Sequence, residues 1–559
     1  MKINNPLPYV FASLSLSSIL FALQIKNSWL AFIMASLFLC ILIKYIDFKI
    51  ILILLMFFGI GAINISNYFD YDLNENAIIR IDDVRENYYI GSTDGRSIYL
   101  FGIIKDAKEG QRYKVKGDFE KGRSFYNGSV GIINIDKVER MEDDFLSKIY
   151  LYRDNIFNNI KERLGSRKAA LITSIAFGYT NYIDYEDKQD MGYVGLLHAI
   201  AVSGLHMGIV YSLLKKISNE KIAIILSLAY VIFTGCAVST IRAYIMLLCI
   251  SMATPLNRNY NKYASLSLAG IILLLLKPYT IFTAGFLLSF TATLGIMVFS
   301  RRISKSLYKL PAIIRDSLGI SLSSQVFSVP VLIAFFNEIT LNSILGNLII
   351  SPIITIIVVI GNLLALSMNF QVIFDYLCFI SHYVIRVMDS ILNSLMDISF
   401  KALLFDEKMV YVYVSMLVAV YFYKRKQKYV ITLPIFTMIV VLISIYSINP
   451  KIGYLRDGAL IISYRGTREL IILKQGVDIK SLKERYNVEN VKRDCKSFII
   501  DNSITFKEND GNFVVELGDK NYLLKVNNKK ISQDYDIIDF KEGSFDEILI
   551  LDDKIIELY

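Results

Sequence analysis

Long uncharged apolar runs separated by short charged loops dominate this 559-residue chain. Runs near 7–25, 28–45, 48–65, 191–213, 263–277, 281–300, 319–336, 343–368, 372–398, 408–423 and 429–448 are mostly uncharged. Several reach the roughly 20 residues that a helix needs to cross a bilayer core about 30 Å thick. Two shorter runs, near 222–236 and 238–254, predict a tight helical pair. The pattern predicts a polytopic α-helical membrane protein of about 13 spans. The first run lacks a small-residue cleavage site and two more apolar segments follow it, so it reads as an uncleaved span rather than a signal peptide.

Two stretches break this pattern. Residues 66–143 carry short alternating runs at Tyr88–Ile90, Ser97–Ile104, Tyr113–Phe119 and Gly128–Ile135, separated by Gly, Asp and Lys turns. That predicts a small all-β domain, and four or five strands in so short a stretch suit an OB-like barrel, although length alone permits other small β-folds. Residues 144–168 follow as an amphipathic linker helix, with Phe145, Ile149, Tyr152, Ile156, Ile160 and Leu164 at spacings of three and four. Residues 169–448 form the main helical domain after the three spans of residues 1–65. Residues 449–559 are again polar and predict a short mixed or β domain, with alternation at Ala459–Ser463 and Leu470–Leu473 and a short helix over 478–486.

Basic residues orient the spans. Lys44 with Lys49, Lys215 with Lys216, Arg301 with Arg302 and Lys305, and Lys424 to Lys428 all fall inside if the N-terminus is inside and there are thirteen crossings. Both polar domains then lie outside, so the protein is expected as a multi-pass protein of the cytoplasmic membrane. The net charge of +9 belongs to the membrane loops. Residues 450–559 hold 18 Lys/Arg against 20 Asp/Glu, and residues 66–167 hold 17 against 18. The basic balance is therefore no argument for nucleic-acid binding. Of the five cysteines, Cys40, Cys236, Cys249 and Cys378 lie in apolar segments and Cys495 stands alone in the last domain. Neither outer domain can hold an internal disulfide, and no CxxC motif is present.

The chain has three histidines, and two of them, His198 and His206, bracket Ser203-Gly204 inside an apolar run. Ionisable groups at membrane depth are costly and mark functional sites by default. In a straight helix the two histidines would lie about 12 Å apart along the axis and could not share one ion. A break at Ser203-Gly204 would instead free backbone N–H groups, and such half-helix ends bind anionic groups. A straight span with a Gly packing contact is the competing reading. Arg242 pairs naturally with phosphate, or else snorkels to headgroups. Ser289, Gln325 and Asn347 either line a path or bond neighbouring helices. In the β-domain Tyr88, Tyr89, Tyr99, Phe101, Tyr113, Phe125 and Tyr126 are the candidates for base stacking, with at least half expected in the core.

The block His198-Ala-Ile-Ala-Val-Ser-Gly-Leu-His206-Met-Gly208 resembles the signature of the ComEC family, inner-membrane channels that pass single-stranded DNA during natural transformation. Ser239-Thr-Ile-Arg242-Ala-Tyr-Ile-Met246 resembles that family's Arg-Ala block. Pro278 with Gly285-Phe-Leu-Leu-Ser289-Phe290 resembles its Gly-Phe-x-Leu-Ser-Phe block, and Gln325, Pro330, Asn347 and Pro352 follow a similar order. The resemblance covers roughly residues 1–450. It implies transport of single-stranded DNA across the cytoplasmic membrane, with His198, Ser203, Gly204, His206, Arg242, Ser289, Gln325 and Asn347 along the path. Tyr88, Tyr99, Tyr113, Phe125 and Tyr126 become the candidates for stacking the strand.

Many members of that family carry a C-terminal metallo-β-lactamase-like domain with an H-x-H-x-D-H motif. Here no histidine follows His382, so residues 450–559 read as a shortened, metal-free remnant in which Tyr454–Gly476 resembles the opening strands. Nuclease activity, a catalytic residue, a bound metal and a cofactor are not expected. No G-x-x-x-x-G-K-[ST] motif is present either. Moving one charge against the membrane potential takes about 2.3 kcal/mol per 100 mV, so a cytosolic ATP-driven translocase or helicase is the expected partner. The resemblance adds membrane lipid and an outer DNA receptor and nuclease, and leaves room for a homo-oligomer. Three rivals stay open: a transporter of a small anion, a membrane hydrolase using the His198/His206 pair with a metal, and a degenerate relative without transport activity.

Overall fold

The computed structural model describes residues 5–558 except positions 27, 46, 74–76, 86–87, 447, 456–457, 473–481, 484–485, 487, 489, 494–496, 502–503, 510–511, 518–519, 527–534, 541–546 and 552–553. Helix predominates, and the chain divides into two units, residues 1–328 with 340–401, and residues 329–339 with 402–559.

The first unit opens with α1 (Leu7–Lys26), α2 (Ser28–Tyr45) and α3 (Phe48–Phe69), matching the first three apolar runs. A closed five-stranded barrel follows, of β1 (Ala77–Val84), β2 (Tyr89–Thr93), β3 (Arg96–Phe101), β4 (Arg112–Ser124) and β5 (Ser129–Arg140), in the order β1-β2-β3-β5-β4. β1 closes the ring on β4, with Ala77 opposite Val115, and β3 runs parallel to β5. The alternation of burial drives this arrangement, because inward residues such as Ile79, Ile81, Ile98, Leu100, Val115 and Ile133 are buried between more exposed neighbours. Asp94-Gly95, both at positive φ, make the tight β2–β3 turn. The sequence pattern missed β1, whose register is interrupted between Ile81 and Asp83.

The barrel shares its core with the helices. Ile65, Tyr68 and Phe69 of α3 are buried with the inward barrel residues. The Tyr68 hydroxyl donates to the Gly128 carbonyl at 2.8 Å, and a Cβ on Gly128 would stand 2.5 Å from the Tyr279 ring. Gly128, at φ +70°, is thus required both by its backbone and by the close approach.

The predicted linker helix is two helices. α4 (Phe145–Leu164) is capped by Asp144, whose carboxylate accepts from Ser147 N at 2.9 Å and pairs with Arg80. It ends at Gly165, and α5 (Ser166–Phe177) follows. Phe145 and Tyr152 of the expected apolar stripe are exposed, and the buried face of α4 is Ser147, Arg153, Asp154, Ile156, Phe157 and Ile160. α5 is wholly buried from Ala169 to Phe177 and packs on α4 and on the later helix over Ser343–Ser367. Its 12 residues span about 18 Å, too short to cross a bilayer.

The run at 191–213 is not one helix. It becomes the end of α6 (Tyr185–Tyr193), a short α7 (Leu197–Ile200) and α8 (Gly204–Ile217). α9 (Glu220–Phe233), α10 (Val238–Ala253), α11 (Lys262–Leu276), α12 (Ala284–Ser306), α13 (Ala312–Phe336), α14 (Ser343–Ser367) and α15 (Gln371–Ile398) follow. α16 (Met409–Lys424) and α17 (Leu433–Tyr446) belong to the second unit. Seven helical segments among the described residues are long and apolar enough to cross a membrane. They are in α1, α3, α12, α13, α14, α15 and Lys428–Tyr446, with α10, α11 and α16 shorter but apolar. These are the marks of a membrane protein.

The second unit also holds a two-stranded ribbon, β6 (Glu338–Ile339) with β7 (Leu403–Leu404). Its C-terminal part is mostly β among the described residues, with Leu482, Lys483 and Tyr486 helical. β8 (Lys451–Leu455), β9 (Ala459–Tyr464), β10 (Thr467–Ile472) and β11 (Asn490–Arg493) form one sheet with two later strands, and β12 (Ser497–Asp501), β13 (Ile504–Asn509), β14 (Asn512–Leu517), β15 (Lys520–Lys525) and β16 (Asp536–Asp539) form the other. The last strands, β17 (Glu547–Leu551) and β18 (Lys554–Leu558), complete the first sheet in the order β11-β10-β9-β8-β17-β18. Ile452, Leu460, Ile548, Phe506, Val515 and Leu524 from both sheets share one core. Most of the helix expected over 478–486, and Cys495, lie outside the described residues.

Candidate functional site at a broken helix

The signature block is interrupted by three non-helical residues, 201–203. Ala201 (φ −84°, ψ 131°) leaves α7, and Ser203 (φ −117°, ψ 175°) enters α8 as its N-cap. The break therefore sits just before Gly204, and the straight-span reading of the sequence is replaced. The local sequence explains it. Ser203 Oγ accepts from Leu205 N at 3.3 Å, while Ser203 N donates to His206 Nδ1 at 3.1 Å. This is a capping box in which histidine at the third helical position does the work usually done by glutamate. His206 Nδ1 is also 2.8 Å from Ser203 Oγ. With Nδ1 accepting, the network assigns the ring proton to Nε2. That atom is buried without a hydrogen-bond partner.

A neighbouring helix holds the break open. Ser239 Oγ, on the first turn of α10, donates to the Val202 carbonyl at 2.5 Å. One turn further along α10, Arg242 reaches the start of α8, and a Cβ on Gly204 would stand 3.0 Å from its Nη2. Arg242 is 8% exposed. Its Nη1 donates to the Ser289 carbonyl on α12, its Nε is buried without a hydrogen-bond partner, and so is Ser289 Oγ. Among the described residues no carboxylate forms an ion pair with Arg242. A buried guanidinium beside the positive end of a 14-residue helix gives a local field that favours negative charge.

The remaining candidates separate into two groups. His198, exposed on α7, is hydrogen-bonded to the Asn347 side chain and the Gly195 backbone. Asn347 Nδ2 donates in turn to Ser321 Oγ at 3.3 Å, and Gln325 Nε2 donates to Ser343 Oγ at 2.8 Å. These are polar rungs between α13 and α14 of the kind that join helices in lipid. The fold thus gathers Ser203, Gly204, His206, Arg242 and Ser289 at the helix start, joins His198 to Asn347, and gives Gln325 a helix-bridging bond. Ser239 was quoted in the sequence only as part of a block. Its proximity to Val202 depends on tertiary packing and leaves no local signal.

Two barrel aromatics are not stacking surfaces. Tyr113 is 3% exposed and its hydroxyl donates to Gln111 Oε1 at 2.6 Å. Phe125 lies against Phe69 and Phe282, at 4.8 and 5.4 Å between ring centroids, and anchors the barrel to the helices. Tyr88 instead clusters with Tyr99 and Phe101 at 5.5 and 5.8 Å, and Tyr126 is exposed.

These features define a helical membrane protein with a discontinuous helix and, among the described residues, an arginine without a carboxylate partner at its break. Residues 175–427, which hold that whole cluster, match the family described as "Competence protein". The chain is 27% identical over 298 residues to ComE operon protein 3 of Bacillus subtilis (strain 168), covering 49% of this chain and 37% of that one. It is 24% identical over 321 residues to an uncharacterized protein of Aquifex aeolicus (strain VF5), covering 53% of this chain and 73% of that one. The match thus spans little more than a third of the Bacillus protein's length. No solved structure matches the chain. Residues 175–427 thus resemble the competence domain of the ComEC family.

Proposed function

We propose that this protein passes single-stranded DNA across the cytoplasmic membrane during natural transformation. The observation that carries the reading is Arg242, buried without a carboxylate beside the N-terminus of α8. A guanidinium left uncompensated in a low-dielectric site is costly and suits a phosphate that visits and leaves. The competence-domain match supplies the context of DNA uptake. On this reading the chain crosses the membrane about thirteen times, with its N-terminus inside and both polar domains outside. The strand order and the parallel β3–β5 pair support an OB-like barrel, whose Tyr88, Tyr99 and Tyr126 stack bases as the strand arrives. Residues 449–559 act without nuclease activity, so an outer nuclease supplies the single strand, an outer receptor delivers it and a cytosolic ATP-driven translocase draws it in.

Deleting the gene in its own host and following labelled DNA tests this. Loss of cytoplasmic DNA with surface binding retained, restored by the wild-type gene and not by Arg242→Gln, is the expected result. Unchanged uptake in a competent host overturns it and leaves transport of a small anion through the same site.

A further inference from the structure

A second buried arginine lies between the barrel and the break. Arg153 on α4 is 4% exposed, and its Nε and Nη2 are both buried without a hydrogen-bond partner. Those two nitrogens form one edge of the guanidinium, an edge that grips two oxygens of a phosphate side by side. Two aromatics lie near the group, whose Cζ stands 4.6 Å from the Tyr150 ring centroid and 5.8 Å from that of Phe233.

The nearby carboxylates are otherwise engaged. Asp154 accepts from Tyr182 Oη at 2.8 Å, from Tyr179 Oη at 3.2 Å and from Lys108 Nζ at 3.2 Å. Glu109 acts on Arg153 only through space and is hydrogen-bonded to the Asn181 side chain. Among the described residues Arg153 has no ion-pair partner.

Its position is equally specific. Gly110, in the barrel's β3–β4 connection, presses on Tyr150, where a Cβ would stand 2.3 Å from the ring. On the other side Gly235 lies against Nη2, at 3.2 Å from the position of its Cβ. Gly235 and Cys236 are exposed, both have positive φ, and they lead directly into α10, the helix of Arg242. Arg153 therefore stands where the barrel meets the turn that begins the Arg242 helix.

We propose that Arg153 is a second phosphodiester contact of the strand, engaged when the Gly235–Cys236 turn lifts and before the strand reaches Arg242. This rests on the single-stranded-DNA reading of the site. The test measures binding of a labelled single-stranded oligonucleotide to the full chain in lipid nanodiscs over a range of salt. Arg153→Lys is expected to weaken binding about tenfold, and Arg153→Gln to lower the slope of log K against log salt by about 0.7, the loss of one phosphate contact. Gly235→Asn, tolerated at positive φ, crowds Nη2 without removing the charge and is expected to weaken binding even if the Arg153 variants misfold. Wild-type affinity and slope in all three overturn the assignment while leaving Arg242 in place. A lower melting temperature with an unchanged slope also overturns it, because Arg153 is then structural only. No oligonucleotide binding by the wild-type chain removes the DNA reading itself, and this inference with it.

Discussion

Gly204 and Arg242 meet so closely that a single methyl group added to Gly204 would stand 3.0 Å from Arg242 Nη2. The neighbour is the tip of a flexible side chain, so it yields to alanine but not to a branched group. Gly204→Ala is expected to reduce uptake of labelled DNA a few fold, and Gly204→Leu combined with His206→Ala to abolish it. Immunoblots of membranes should show normal protein in both cases. Normal transformation by the double variant would remove the helix start from the path.

Arg242 sets function against stability. A buried cation without a carboxylate burdens the fold, and replacing it with an apolar side chain of similar length relieves that burden. Arg242→Met is expected to raise the melting temperature of the solubilised protein, by about 1 kcal/mol or more in stability, while uptake falls at least tenfold. A variant that is both less stable and fully active would contradict the assignment.

Ser239 tests the geometry of the break. Its hydroxyl is given to the Val202 carbonyl, which alanine would leave without that donor. The expected cost is about 1–3 kcal/mol, read as a lower unfolding temperature. Ser239→Thr keeps the donor and should recover most of it.

The barrel aromatics divide by what they touch. Tyr88→Ala with Tyr99→Ala is expected to weaken oligonucleotide binding by about 1–3 kcal/mol per stacked base with little change in stability. Tyr113→Ala should do the reverse, because it empties a core position. Titration and thermal unfolding of the same samples separate the two effects.

Acid and base act oppositely where the barrel meets α4. Burial holds the Glu109 carboxyl up to about 7, against the lowering effects of Asn181 and Arg153, with Asp82 and Asp83 adding to the rise. A carboxyl raised in the fold favours the folded state below its ordinary value of 4.5, and that contribution is lost as pH climbs through 7. Asp144 is the mirror case. The Arg80 hydrogen bond holds it well below the ordinary carboxylate range, so its contribution stands above pH 3.8 and is lost in stronger acid. Melting temperature should therefore fall between pH 5 and 8, and Glu109→Gln should flatten that slope. An unchanged slope in the variant would exclude Glu109 as its origin.

Much of this fold was legible because the bilayer and the barrel both impose simple periods. Apolar runs located α1 to α3 and α12 to α15, and alternation located four of the five barrel strands. The break at residues 201–203 could be argued from Ser203 and Gly204, but a straight helix fitted the same letters. Only the His206 capping bond and the Ser239 contact separate the two. α4 shows the limit most clearly. Its apolar stripe pointed to Phe145 and Tyr152, which are exposed, whereas the face turned inward carries Arg153 and Asp154. Burial of charge is decided by partners distant in sequence, such as Tyr179, Tyr182 and Gly235, and periodicity carries no trace of them.

The union of Gly128 with Tyr68 and Tyr279 makes the barrel a fixed collar rather than a swinging arm. If the barrel receives the strand as proposed, it cannot reach out for it, and whatever delivers the strand must carry it to the barrel.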